Sequence, residues 1–70
     1  MLNFSRHARN QMKRRGISRA EVRYCLNNPD ITITPKEGCK QFRANHPSGK
    51  RIKVVVDTEK NKVVTVILLD

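Results

Sequence analysis

The chain is short of aromatics, cysteine, acid and long apolar runs, and each shortage excludes something. Among 70 residues there is no tryptophan, one tyrosine and two phenylalanines. With Phe4 and Phe42 assigned to the core, Tyr24 alone makes no stacking platform of the kind that holds single-stranded bases. Cys25 falls on a predicted helix and Cys39 in a loop, which is no disulfide framework. Joined with His7 and His46 they lack the paired short spacings of a zinc site, so no metal and no cofactor is expected. No apolar run approaches the length of a membrane span, and Val63–Leu69 is strand-sized. Met1–Arg9 has basic residues but no apolar stretch behind them, so it is no secretory signal, and the protein reads as cytoplasmic. Acid is the telling scarcity: six Asp and Glu stand against fifteen Lys and Arg, a net charge of +9.

What is present is concentrated charge. The stretch Arg6–Arg23 holds seven Lys and Arg and one acid, Glu21. Mixed charge would serve solubility without the self-repulsion, so the excess points to a polyanion whose phosphates release counterions on binding. The helices lack the broad apolar face and aromatic anchors of a membrane-surface helix, so nucleic acid is the better fit.

Local signals place two helices and then a sheet. The first helix runs over Arg6–Arg15, with Ser5 as N-cap and Gly16 at the left-handed C′ position. Phe4, Ala8 and Met12 share its apolar side; His7, Gln11 and Arg14 form a stripe at the edge of the core. Ser18-Arg19-Ala20-Glu21 is a capping box opening the second helix, which Asn27-Asn28-Pro29 ends. Val22, Cys25 and Leu26 are its buried stripe; Tyr24 projects away, to pack on the first helix or lie exposed. From Ile31 the period becomes two. Strands are expected at Ile31–Thr34, stopped by Pro35, then at Lys40–Asn45, Arg51–Val56 and Lys62–Leu69. His46-Pro47-Ser48-Gly49 is a turn with His46 exposed. The last strand is apolar on both faces, which requires a central position or an edge buried by a partner. The expected fold is α+β: two N-terminal helices packed on one face of a four-stranded antiparallel sheet, in the order ααββββ. The other face then presents Gln41, Arg43, Asn45, Arg51 and Lys53, provided the register holds.

Taken in order, Ser5-x-His7-Ala8, Arg14-x-Gly16-Ile17-Ser18 and a Val22-x-x-x-Leu26 helix followed by Asn28-Pro29 resemble a small bacterial family of unknown function. Phe42-Arg43, Lys53–Val56 and Val63–Val66 match its later strands, so the resemblance covers nearly the whole chain. That family is similar to the RelE-like and colicin-like ribonuclease toxins. The resemblance implies one RelE-like domain over residues 1–70, metal-free RNA cleavage, and an acidic antitoxin-like protein as a partner beside RNA. Such cleavage needs a base for the ribose 2′-hydroxyl, an acid for the 5′-oxygen and cations for the developing charge. His7 matches the family histidine and is the first candidate, with hydrogen bonding to a strand as the even alternative. Arg14 either clamps phosphate or pairs with Glu21 or a loop carbonyl. Arg43 resembles the strand arginines that bind the scissile phosphate in RelE-like toxins. Arg6, Gln11, Arg43, Arg51 and Lys53 complete a nucleic-acid-binding set. Three functions stand at this point: a ribonuclease toxin, a non-catalytic RNA- or DNA-binding module, and a domain docking an acidic antitoxin.

Overall fold

Serines start both helices in the computed structural model, which describes residues 3–69. Helix α1 spans Arg6–Arg15, and the Ser5 hydroxyl accepts the Ala8 amide at 3.0 Å. Gly16 ends it at φ 67°, ψ 36°, a left-handed conformation that a Cβ would strain. Helix α2 spans Arg19–Asn27. Its capping box is complete: Ser18 Oγ accepts the Glu21 amide at 3.1 Å, and Glu21 Oε1 accepts the Ser18 amide at 2.8 Å.

The sheet has five strands rather than the expected four, and it is mixed rather than wholly antiparallel. They are β1 (Asn3–Phe4), β2 (Ile31–Lys36), β3 (Cys39–Asn45), β4 (Arg51–Asp57) and β5 (Lys62–Leu69), in the spatial order β1-β5-β4-β3-β2. The added strand β1 lies parallel to β5, with Asn3 opposite Lys62 and Phe4 opposite Val63. Two residues are too few to display a period of two, so nothing in the local pattern announces β1. The element order is therefore β-α-α-β-β-β-β. Cys39 opens β3 instead of lying in a loop.

Pro35 does not stop β2. The strand continues to Lys36, with a register shift between Ile33 and Lys36. A proline lacks the ladder donor, and an edge strand with an irregularity is where that loss is tolerated.

Strand β5 lies second in the sheet, and a bulge explains its apolar residues on both faces. Its register against β4 passes from Val55↔Thr65 to Val56↔Val63, leaving Val64 as the extra residue. Val63, Val66 and Leu68 consequently face the core, while Thr65, Ile67 and Leu69 face away. Its outer edge beyond β1 is covered by the chain's own first helix. Ser5 donates its amide to Val63 O (2.9 Å) and its hydroxyl to Val64 O (3.3 Å), and Gln11 Oε1 accepts the Val66 amide at 2.9 Å.

The helices share one sheet face, α1 over β5 and α2 over β4 and β3. Between the layers lie Ala8, Met12, Ile17, Val22 and Cys25 against Ala44, Ile52, Val54, Val56, Val63 and Val66. Each fully buried Val or Ile is worth roughly 1.5–3 kcal/mol relative to exposure, which is how so short a chain holds together.

Candidate nucleic-acid interface

Ala8 and Met12 fix the buried side of α1, so the remaining positions of its 3.6-residue period point outward. Arg6, Arg9, Lys13, Arg14 and Arg15 are all exposed, as are Arg19 and Arg23 on α2. The one acid in this stretch, Glu21, is buried at 8 % exposure. Seven cations thus share the helix layer with no exposed carboxylate on either helix.

Two contacts orient these cations. Gln11 reaches the outer edge of β5, so Arg9 and Lys13, across the helix from it, point away from that edge. The guanidinium of Arg19 lies 5.5 Å from the centre of the Phe4 ring, just before α1. Both helices therefore carry exposed positive charge, with no exposed acid between them.

Glu21 has a separate task. Its carboxylate receives the Ser18 amide, the Ser48 hydroxyl at 3.1 Å and the Lys50 ammonium at 2.9–3.0 Å, and Lys50 also donates to Gly16 O at 2.7 Å. Those bonds, the Ser18 amide first and Lys50 next, hold its carboxyl down to about 2. Ser48 in turn donates its amide to His46 Nδ1 at 3.0 Å, and the His46 ring meets Tyr24 edge-on with centroids 4.9 Å apart. His46 is thus half-buried instead of exposed, and Tyr24 packs on the β3–β4 turn rather than on α1 or in water. The cluster pins the start of α2 to that turn.

The uncovered sheet face is less purely basic. Register places Asn45 opposite Arg51, Arg43 opposite Lys53, and Gln41 opposite Val55, as the period of two requires. Arg51 Nη1 donates to Asn45 Oδ1 at 3.0 Å. Around them stand Ile31 and Ile33, 41 % and 38 % exposed, with Ile67, Thr65 and the acid Asp57 on the same face. Arg43 Nε is buried and has no partner among the described residues.

The proposed catalytic residues do not form one group. His7 and Arg14 are exposed on the β5-edge side of α1, two turns apart. Arg43 points from the opposite face of the sheet, because its neighbours Phe42 and Ala44 take the face that the helices cover. Among the described residues Arg14 pairs with neither Glu21 nor a loop carbonyl; Lys50 fills both places. Arg6 joins the helix layer, whereas Arg43, Arg51 and Lys53 lie behind it on the uncovered face. Gln11 holds the β5 edge. Gln11→Ala leaves the Val66 amide without that acceptor and is expected to cost about 1 kcal/mol, roughly 4–8 °C in melting temperature, with RNA affinity unchanged. A calorimetric melt beside an RNA titration checks both halves. The cations absent from the expected set, Arg9, Lys13, Arg15, Arg19 and Arg23, were signalled by the acid-poor run itself.

Among the described residues no helix is long and apolar enough to cross a membrane, and no cluster of His, Cys, Asp or Glu is suited to a metal ion. Cys25 is buried, and that burial pushes its thiol pKa up. Residues 4–68 match the family model described as Domain of unknown function (DUF4258), and the chain belongs to that family. No curated protein and no solved structure matches the chain.

Proposed function

We propose that this DUF4258 member is an RNA-interacting protein that holds the phosphate backbone on its helix layer. The observation that carries the reading is the set of seven exposed Lys and Arg on α1 and α2 with no exposed acid among them. Such an array gains affinity by releasing the counterions condensed on a polyanion. The uncovered sheet face is a secondary contact at most, since Asn45 engages Arg51 and branched aliphatics separate its cations. A fluorescence-anisotropy titration with labelled RNA should give affinity that falls steeply with salt. Absence of binding at low salt would remove the proposal.

The likeness to RelE-like and colicin-like toxins adds cleavage as a second reading, favoured by one observation. His7 is exposed in the first turn of α1, on the same side as Arg14. There His7 would take the 2′-hydroxyl proton, the 2′-oxygen would attack phosphorus, and the P–O5′ bond would break as the 5′-oxygen takes a proton from solvent water. Arg14 would face the developing charge; Arg43 has no part in it. RNA incubated with the protein in EDTA should then yield 2′,3′-cyclic phosphate ends, and His7→Ala should abolish them. Intact RNA, or equal cutting by the variant, leaves binding alone. An acidic antitoxin-like protein would compete with RNA for the same arginines.

A further inference from the structure

One edge of the sheet is sealed and the other is open. On the β5 side, β1, Ser5 and Gln11 take up backbone groups of the strand. On the far side β2 is last in the order, and all six of its residues are exposed. Ile31 and Ile33 are the exposed large apolar side chains among the described residues, and both lie on this strand. Bare edges pair with other strands unless a charge, a proline or a bulge forbids it. Here Pro35, Lys36 and the irregularity after Ile33 protect one end, while Ile31–Thr34 carries no charge.

The backbone groups left free on that edge are set by β3. Arg43 O accepts the Asp30 amide at 2.8 Å, and the Asn45 amide donates to the Asp30 carboxylate at 3.3 Å. These β3 residues thus turn their backbone groups toward β2. Their register partners, Ile31 opposite Arg43 and Ile33 opposite Gln41, turn inward to meet them. Alternation leaves the amides and carbonyls of Thr32 and Thr34 on the open side. Those two residues stand symmetrically about Ile33, so the edge is its own complement. A second β2 laid antiparallel, with Ile33 opposite its counterpart, sets Thr32 opposite Thr34 twice. Those pairs exchange backbone hydrogen bonds without calling on Pro35, which has no amide to give. The two Ile33 side chains meet, and the Asp30 end of each strand lies beside the Lys36 end of the other.

We propose that the chain pairs with a second copy of itself along β2, about a two-fold axis that passes Ile33 perpendicular to the sheet. The net charge of +9 opposes self-association. That repulsion is weak at this edge, because α2, the nearer helix, packs over β3 and β4. Its cations and their counterparts stand three strand spacings apart or more, about 14 Å, beyond the screening length of about 8 Å at physiological salt. The axis keeps both helix layers on one side of a continuous sheet, which doubles the basic surface. The pairing itself does not depend on the RNA-binding reading.

Sedimentation equilibrium of the full chain tests it. The interface is small, so the mass should rise from 8.1 kDa toward twice that only as concentration approaches about 1 mM, and sooner at raised salt. Ile33→Lys sets two ammonium groups against each other, and Thr34→Pro removes an outward amide. Each should weaken association at least about 10-fold while a thermal melt shows the fold intact. Register is read by cross-linking in a Cys39→Ser background, where the remaining Cys25 is buried. Across a non-hydrogen-bonded pair the Cα atoms lie about 4.5 Å apart, within reach of a disulfide, whereas the two copies of Ile31 would lie about 13 Å apart. Mild oxidation should therefore link Ile33→Cys chains and leave Ile31→Cys chains single. A chain that stays monomeric at the highest concentration overturns the proposal. So does association that both edge variants leave unchanged, or linkage of Ile31→Cys as readily as of Ile33→Cys.

Discussion

Glu21→Ala is expected to lower the melting temperature by roughly 10–25 °C, enough to leave part of the chain unfolded at 37 °C. The substitution removes one half of the capping box and strips Ser48 and Lys50 of their shared acceptor. Charge-assisted hydrogen bonds of this kind contribute about 1.5–3 kcal/mol each where the group is buried, and a lost cap about 1 kcal/mol. These bonds converge on one carboxylate and do not add in full, and a total of about 2–4 kcal/mol translates into that melting shift for a domain of this size. Lys50 would keep Gly16 O as its remaining partner. Glu21→Gln should recover part of the loss, because its carbonyl still accepts the Ser18 amide while the ion pair is gone. Acid titration of the unaltered protein reads the same interaction. The folded carboxyl titrates near 2, below its ordinary 4.5, so its stabilisation is complete above pH 4.5 and is lost as pH falls toward 2. Unfolding curves at pH 7 and pH 3 should therefore differ more for the native chain than for Glu21→Ala. A melting shift under about 3 °C in the variant would contradict the role assigned here.

The second large effect concerns binding. The double reversal Arg9→Glu with Arg23→Glu is expected to weaken RNA affinity by about 100-fold or more at low salt. It removes one cation from each helix and sets an anion in its place, so the phosphate backbone meets repulsion. Both side chains are exposed, and neither has an acidic partner among the described residues, so the fold should survive. Arg43→Ala with Arg51→Ala, on the far side of the sheet, should cost no more than about 3-fold. Equal losses from the two pairs would move the interface off the helices; a larger loss from the sheet pair would place it on the uncovered face.

Much of this arrangement was legible in the sequence because it is local. Ser5, Gly16 and the Ser18–Glu21 box determine both helices within a turn of themselves, and the alternation of Ile52, Val54 and Val56 assigns β4 its faces. What escaped is long-range. β1 is strand only because β5, some 60 residues away, offers it an edge. Pro35 is tolerated because β2 happens to be last in the sheet. The bulge at Val64 is invisible in a run of valines, yet it decides which way Ile67 points. For the same reason the candidate site was only half readable. The acid-poor run announces a basic helix layer, but only the packing of α1 on the Phe42–Ala44 face separates His7 from Arg43. Gln11 looked like a member of a binding stripe because nothing nearby in sequence shows the unpaired amide of Val66.

The central claim is that the helix layer receives the phosphates, and backbone amide chemical shifts test it most directly. In a titration of ¹⁵N-labelled protein with RNA, the largest perturbations should cluster on Arg6–Lys13 and Arg19–Arg23, with β3 and β4 nearly still. Perturbations centred on Gln41–Asn45 and Arg51–Val55, with quiet helices, would contradict the account.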